Sequence, residues 1–210
     1  MTDENVLRLA VQTFRGTANL ALVSALVKQR VPAVGLSGID GSTLTLRKRP
    51  PVDVGGKMVD FGFVGDAVNV NADLILSLIE ADYVPALCSL GADMDGQVLN
   101  INADTMACEL AVGLNAEKLI FITDKPGILH DQKDESSIYS VLDAKDIERL
   151  KSEGVISGGM LPKVTAALGA LKRGVSRVHI LGADEDDALL EETFTNQGCG
   201  TMITLSREAE

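Results

Sequence analysis

Tryptophan is absent from the 210 residues, and two tyrosines and five phenylalanines make up an aromatic share of only 3%. A surface that stacks bases needs rings, so single-stranded nucleic acid is poorly served. Positive charge is scarce too. Thirty acidic residues against nineteen basic ones leave a net charge of −11, which repels nucleic acid and anionic membrane at long range. An anionic substrate would therefore depend on cations concentrated at one place. The three cysteines, Cys88, Cys108 and Cys199, are odd in number and widely spaced, so neither a disulfide framework nor a zinc site is indicated, and a reducing cytoplasm fits. No apolar run approaches membrane length. The N-terminal Met1-Thr-Asp-Glu-Asn-Val-Leu lacks a basic segment followed by an apolar core, so the chain reads as soluble and untargeted. What is present is 46% hydrophobic content, enough for one ordinary α/β domain or one large domain with a small lobe.

The chain opens in a helical pattern, with Thr2, Glu4 and Asn5 as a start and Val6, Leu9, Ala10 and Phe14 at helical spacing. Gly16-Thr17 reads as an interruption before a second helix from Thr17 to Gln29. Ala33-Val-Gly-Leu-Ser37 reads as a short buried strand. From Ser42 to Asn71 short alternating runs separated by Pro50-Pro51 and Gly55-Gly56 predict β-hairpins, which either cover a ligand or form a plain surface excursion. Asn71 is placed to cap a helix carrying Leu74, Ile75, Leu78 and Ile79. Lys118-Leu-Ile-Phe-Ile-Thr123 is the clearest central strand, and Val178-His-Ile-Leu181 is another. Asp143 is placed to cap a helix through Leu150, and Ala188 to Phe194 reads as a short helix before a last strand, Thr201 to Leu205. Strands alternating with helices predict a mostly parallel sheet with helices on both faces.

Two motifs carry chemistry. In Gly154-Val-Ile-Ser-Gly-Gly-Met-Leu-Pro-Lys-Val164 a double-glycine turn runs into an amphipathic helix whose buried stripe is Leu161, Val164, Leu168 and Leu171. Pro162 suits a first helical turn, which puts Lys163 where the macrodipole is already positive. That conflict is relieved if an anion lies between Lys163 and open amides of Gly158 to Met160. A solvated lysine after a plain turn is the competing reading. In Leu99-Asn-Ile-Asn-Ala-Asp104 two amides and a carboxylate stand where a strand hands over to a helix, the edge at which open α/β sheets bind ligands. Asn102 as an N-cap and Asp104 as a first-turn acid explain two of the three without a ligand; Asn100 is left over. Taken together, the inventory suits phosphoryl transfer, which asks mainly for positioning and charge neutralisation, with Mg²⁺ carried on nucleotide phosphates. An acceptor that is already a carboxylate needs no strong base, in keeping with only two histidines, His130 and His179.

The motifs Gly16-Thr-Ala-Asn19, Gly62-Phe-Val-Gly65, Asn100-Ile-Asn-Ala-Asp104, Thr123-Asp-Lys-Pro-Gly-Ile-Leu129, Gly158-Gly-Met-Leu-Pro-Lys163 and Gly198-Cys-Gly-Thr-Met-Ile203 span essentially the whole chain. Together they resemble the acetylglutamate kinases of the amino acid kinase superfamily. The resemblance implies a three-layer αβα sandwich with a mostly parallel central sheet. It implies transfer of the ATP γ-phosphoryl group, from Mg-ATP, to the side-chain carboxylate of N-acetyl-L-glutamate, the second step of arginine biosynthesis. It further implies that Asn100 and Asn102 bind the acceptor, that Asp104 organises the catalytic lysines, and that Lys163 stabilises the moving phosphoryl group. Thr123, Asp124, Lys125, Gly127, Ile128, Leu129, Val155, Ile156, Ser157 and Met160 would hold the nucleotide. One domain over 1–210 is expected, its acceptor part at about 1–105 and its nucleotide part at about 106–210, in a cytoplasmic homodimer or larger homo-oligomer.

The same resemblance implies an opening strand, a lysine before a Gly-Gly turn and a second glycine-rich turn, none of which this sequence contains. The expectation is a chain lacking the N-terminal strands of the domain, by truncation or by a start assigned too late. A kinase of another acylated amino acid, such as N-succinylglutamate or an aminoadipate derivative, and a catalytically silent nucleotide-binding or regulatory chain are the alternatives.

Overall fold

The computed structural model describes residues 1–131, 133–184, 186–195 and 198–206. The backbone divides into two units, Met1–Leu114 and Asn115–Glu210. Among the described residues no helix is long and apolar enough to cross a membrane.

In the first unit, Asp3 starts α1 (Glu4–Val11) by accepting the Val6 N–H at 2.9 Å, with Glu4 in the first turn where a negative charge is favoured. The expected break at Gly16-Thr17 does not occur. Residues Gln12–Ala18 form a π-helical turn, in which the Asn19 N–H reaches back five residues to the Phe14 carbonyl, and α2 (Asn19–Lys28) follows directly. Widening the helix by one residue turns the Asn19 side chain inward, where its amide donates to the Ala86 carbonyl at 2.8 Å and its oxygen accepts from Arg15 at 3.0 Å. Strands β1 (Ala33–Ser37) and β6 (Val84–Cys88) pair in parallel. A second sheet runs in the order β5 (Gly65–Val70), β2 (Leu44–Lys48), β7 (Leu90–Ala92), β8 (Val98–Asn100). Between β2 and β5 the chain projects the hairpin β3 (Val52–Val54) and β4 (Lys57–Val59). Leu44, Leu46, Leu99, Ile101 and Met106 are buried as one core cluster, each worth roughly 1.5–3 kcal/mol of apolar burial. The helices α3 (Asp73–Glu80) and α4 (Ala103–Gly113) complete the unit. Asn71 lies one place too early to cap α3: Ala72 holds that position, and the Asn71 oxygen accepts the Asp73 N–H at 3.0 Å instead.

The second unit has the strand order β10 (Val141–Asp143), β12 (Thr201–Thr204), β11 (Arg177–Gly182), β9 (Lys118–Thr123). Strands β9 and β11 are parallel, as are β10 and β12, whereas β11 and β12 are antiparallel. The α/β class expected from the alternation holds, with sheets that are parallel and mixed. Asp143 begins α5 (Ala144–Ser152) in a reciprocal capping box with Asp146. Helix α6 (Met160–Lys172) buries Val164, Ala167, Leu168, Ala170 and Leu171. Leu161, expected on that stripe, is 38% exposed. The last helix, α7 (Ala188–Phe194), precedes β12.

Candidate active site

The glycine-rich approach to α6 shapes one side of a cleft of about 440 Å³ in the second unit. Gly158 has φ +54°, a left-handed conformation that costs a residue with a Cβ energy, and a Cβ there would meet nothing within 4 Å. The glycine thus serves backbone shape and leaves the cleft open. The Met160 N–H is taken by the Ser157 carbonyl at 3.2 Å, so it is not the open donor expected of it. The N–H groups of Gly158 and Gly159 have no acceptor among the described residues and can serve an anion at the start of the helix. Lys163 sits in the first turn of α6, lines the same cleft, and holds its ammonium 5.7 Å from the centre of the Phe121 ring.

The opposite wall comes from the loop after β9. Thr123, Asp124, Lys125, Gly127, Ile128 and Leu129 line it, and Val155, Ile156, Ser157 and Met160 complete the cleft. All ten residues expected on the nucleotide side are therefore gathered in one place, with Gly158, Gly159 and Lys163 beside them. The two glycines stand beside Lys163, where the sequence places open amides for an anion. Ile128, Leu129 and Ile156 are buried, giving an apolar floor, while the glycine turn and Lys163 give a polar end. A floor for a flat apolar ring system and a donor-rich end for phosphates is the division that a nucleotide asks for. At the mouth, Lys125 pairs with Glu135 at 3.6 Å, and the Thr123 hydroxyl donates to Asp124 at 2.9 Å.

The other named residues belong to the first unit. Asn100 ends β8, where its N–H donates to the Phe63 carbonyl at 2.9 Å and its side chain is half-buried. Asn102 caps α4: its carboxamide oxygen accepts from the Thr105 N–H at 2.9 Å and the Thr105 hydroxyl at 3.2 Å. Its NH₂ remains the group suited to an acceptor molecule. Asn102→Ala is expected to cost about 1 kcal/mol of stability, read as a lower thermal midpoint. Asp104 stands in the first turn of α4, the end of a helix that favours negative charge.

The model of the amino acid kinase family matches residues 1–182. The acetylglutamate kinase of Myxococcus xanthus is 44% identical over 209 residues, covering 97% of this chain and 68% of that protein. The acetylglutamate kinase of Methanocorpusculum labreanum is 42% identical over 98% of this chain and 70% of its own length. Among solved structures, N-acetylglutamate synthase of Neisseria gonorrhoeae, complexed with coenzyme A and N-acetyl-glutamate, superposes with a TM-score of 0.83 at 29% identity. The match covers 99% of this chain but 45% of the synthase, so the chain spans under half of that protein. Carbamate kinase of Giardia shares the fold with a TM-score of 0.65 at 16% identity, covering 95% of this chain and 72% of that one. With a double-glycine turn, a first-turn lysine and a strand-to-helix Asn-x-Asn-x-Asp set all in place, and identity above 40% along nearly its whole length, this chain belongs to the amino acid kinase family, among the acetylglutamate kinases.

Proposed function

We propose that the protein transfers the γ-phosphoryl group of ATP to the side-chain carboxylate of N-acetyl-L-glutamate, giving N-acetylglutamyl phosphate and ADP. A carboxylate oxygen forms the new bond to the γ-phosphorus as the bond to the β–γ bridging oxygen breaks, and the electron pair leaves with ADP. The observation that carries this reading is Lys163 lining one cleft with the Gly158-Gly159 turn and the apolar floor of Ile128, Leu129 and Ile156.

In this mechanism the glycine-turn amides orient the phosphates, and the Lys163 ammonium gains most when negative charge spreads over the transferring group. By the family resemblance, the first unit supplies Asn100 and the Asn102 NH₂ as hydrogen-bonding groups for the acceptor and Asp104 as an organising carboxylate. Mg²⁺ carried on the nucleotide phosphates would offset part of their charge. The acceptor is ionised at neutral pH, so no general base is needed. The acetylglutamate kinases at 44% and 42% identity support N-acetyl-L-glutamate as the acceptor. Cytoplasmic location and a homodimeric or larger homo-oligomeric state belong to the same proposal, and sedimentation of the purified protein reads the latter.

The test incubates the protein with ATP, Mg²⁺ and hydroxylamine, which traps an acyl phosphate as a hydroxamate. N-acetyl-L-glutamate, N-succinyl-L-glutamate and N-acetyl-aminoadipate are compared as acceptors. Hydroxamate from the first, at the highest kcat/KM, is the expected result. Preference for another acid transfers the reading to that substrate; nucleotide binding without any hydroxamate leaves a silent nucleotide-binding chain.

A further inference from the structure

The segment Gly198-Cys-Gly-Thr201 is one of the sequence motifs, yet none of its side chains lines the nucleotide cleft. Its last residue nevertheless reaches that cleft's wall. Thr201 opens β12, is fully buried, and its hydroxyl oxygen accepts the Ile128 N–H at 2.8 Å across 73 residues of sequence. The carbonyl of the same residue, Ile128, accepts the Tyr139 N–H at 2.9 Å. Ile128 is thus held at both of its backbone polar groups, and Leu129, next along, bridges to Ile138. Just before it the loop presses on β12. A Cβ on Gly127 would lie 2.7 Å from the Thr201 hydroxyl oxygen and 3.0 Å from a methyl carbon of Ile138, a fit that excludes any side chain. Thr201 is itself anchored, because it pairs with Ile180 of β11 and the N–H groups of Cys199 and Gly200 before it are both accepted by the Glu192 carboxylate, at 2.9 and 3.1 Å.

We propose that Thr201 is a positioning residue for the nucleotide loop, its hydroxyl fixing the Gly127–Leu129 wall so that nucleotide affinity depends on a residue outside the cleft. The inference rests on the nucleotide half of the proposed function and is independent of which acid is phosphorylated. The chemistry singles out the hydroxyl. A buried N–H without an acceptor is costly, so a chain that loses this oxygen relieves the Ile128 amide by moving the loop. Valine has the shape and strand preference of threonine without the acceptor; serine keeps the acceptor without the methyl; cysteine offers only a weak one.

Affinity for ATP is measured by calorimetry with the full chain and no acceptor present, well below the melting temperature of each variant. Thr201→Val is expected to raise Kd about tenfold, a change of about 1.4 kcal/mol, and to raise the KM for ATP in parallel while kcat and the acceptor KM move less than about threefold. Thr201→Ser should stay within about twofold of the parent and Thr201→Cys should fall between, an order that stands on its own if the valine variant does not fold. A valine variant with unchanged Kd overturns the proposal, as does an equal rise in the valine and serine variants, since that would trace the effect to the methyl group. A parent protein that binds no nucleotide overturns the kinase reading and this inference together. A parent that binds ATP but phosphorylates no acetylglutamate removes only the acceptor assignment.

Discussion

Lys163→Met is expected to lower kcat by about 10²–10³-fold while the Kd for ATP changes by less than about threefold. The expectation follows from where charge resides during the reaction. In the proposed mechanism the γ-phosphate charge of bound ATP would already be shared with Mg²⁺ and the turn amides, so one more cation would add modestly to ground-state affinity. As the phosphoryl group separates from the leaving oxygen, charge spreads over its three outer oxygens, and the Lys163 ammonium beside them becomes worth more. Only an interaction that strengthens in the transition state raises kcat. Lys163→Arg keeps the charge but replaces a compact ammonium with a planar fork on a longer stem, and should recover part of the loss. Stability separates this account from simple damage. A lysine in the first turn of α6 faces the positive end of the macrodipole, which offsets what its contact with the Phe121 ring contributes, so methionine there should shift the melting temperature by only a few degrees. A variant with parental kcat would remove Lys163 from the mechanism, and one whose Kd rises as steeply as kcat falls would make it a binding residue.

The features that were legible beforehand are those that neighbouring residues encode. The β9 strand begins at Lys118 and ends at Thr123 as its apolar run predicts, and the Asp143 cap and the Asn102 cap follow from side chains that reach an N–H two or three residues on. The gathering of the nucleotide-side residues was legible for a related reason: each lies at the end of a strand, at the start of a helix or in the loop beside one, and such positions share one edge of an α/β sheet. What escaped was set at longer range or by unusual local geometry. Gly16 reads as a helix stop because a 3.6-residue period leaves no place for it; the π-helical turn absorbs the extra residue, and its stabilisation comes partly from Asn19 bonding to Ala86, 67 residues away. The antiparallel pairing of β11 with β12 cannot be read from either strand, since an alternating or apolar run suits both directions. Leu161 fits the α6 stripe by spacing but stands in the first turn, where the chain has only begun to enter the core. The Thr201 hydroxyl, the residue with the most to say about the nucleotide loop, looks from sequence like any threonine in a strand.

Loss of the Glu192 carboxylate should produce the largest change in stability. Glu192→Ala is expected to destabilise the protein by about 3 kcal/mol, on the order of 6–12 °C in thermal midpoint. Glu192 reaches from α7 to β11, where one oxygen accepts the His179 Nδ1 proton at 2.5 Å, and the other oxygen accepts the N–H groups of Cys199 and Gly200. Both side chains of the pair are about 5–6% exposed, so three donors lose their acceptor in a place that water reaches poorly. Glutamine offers a partial substitute. Its oxygen can take the two amides, and its NH₂ can face His179 if the imidazole shifts its proton to Nε2. That nitrogen, however, is buried with no partner among the described residues, so the shift creates a new unsatisfied donor. Glu192→Gln should therefore cost less than alanine, about 1–2 kcal/mol. The acid dependence carries a sign that distinguishes the carboxylate from its packing. Burial alone would raise the Glu192 pKa, but the hydrogen bonds from His179, Cys199 and Gly200 outweigh it and hold the group below the usual glutamate value. A depressed carboxylate stabilises the folded chain fully above its unfolded value of about 4.3 and loses that contribution as pH falls through the folded one. Urea unfolding followed from neutral pH down to about pH 3 should show the parent losing stability on the acid side more steeply than Glu192→Gln, the two curves converging as the carboxylate is neutralised. Parallel curves with a constant gap would mean that shape, and not ionisation, is what Glu192 contributes.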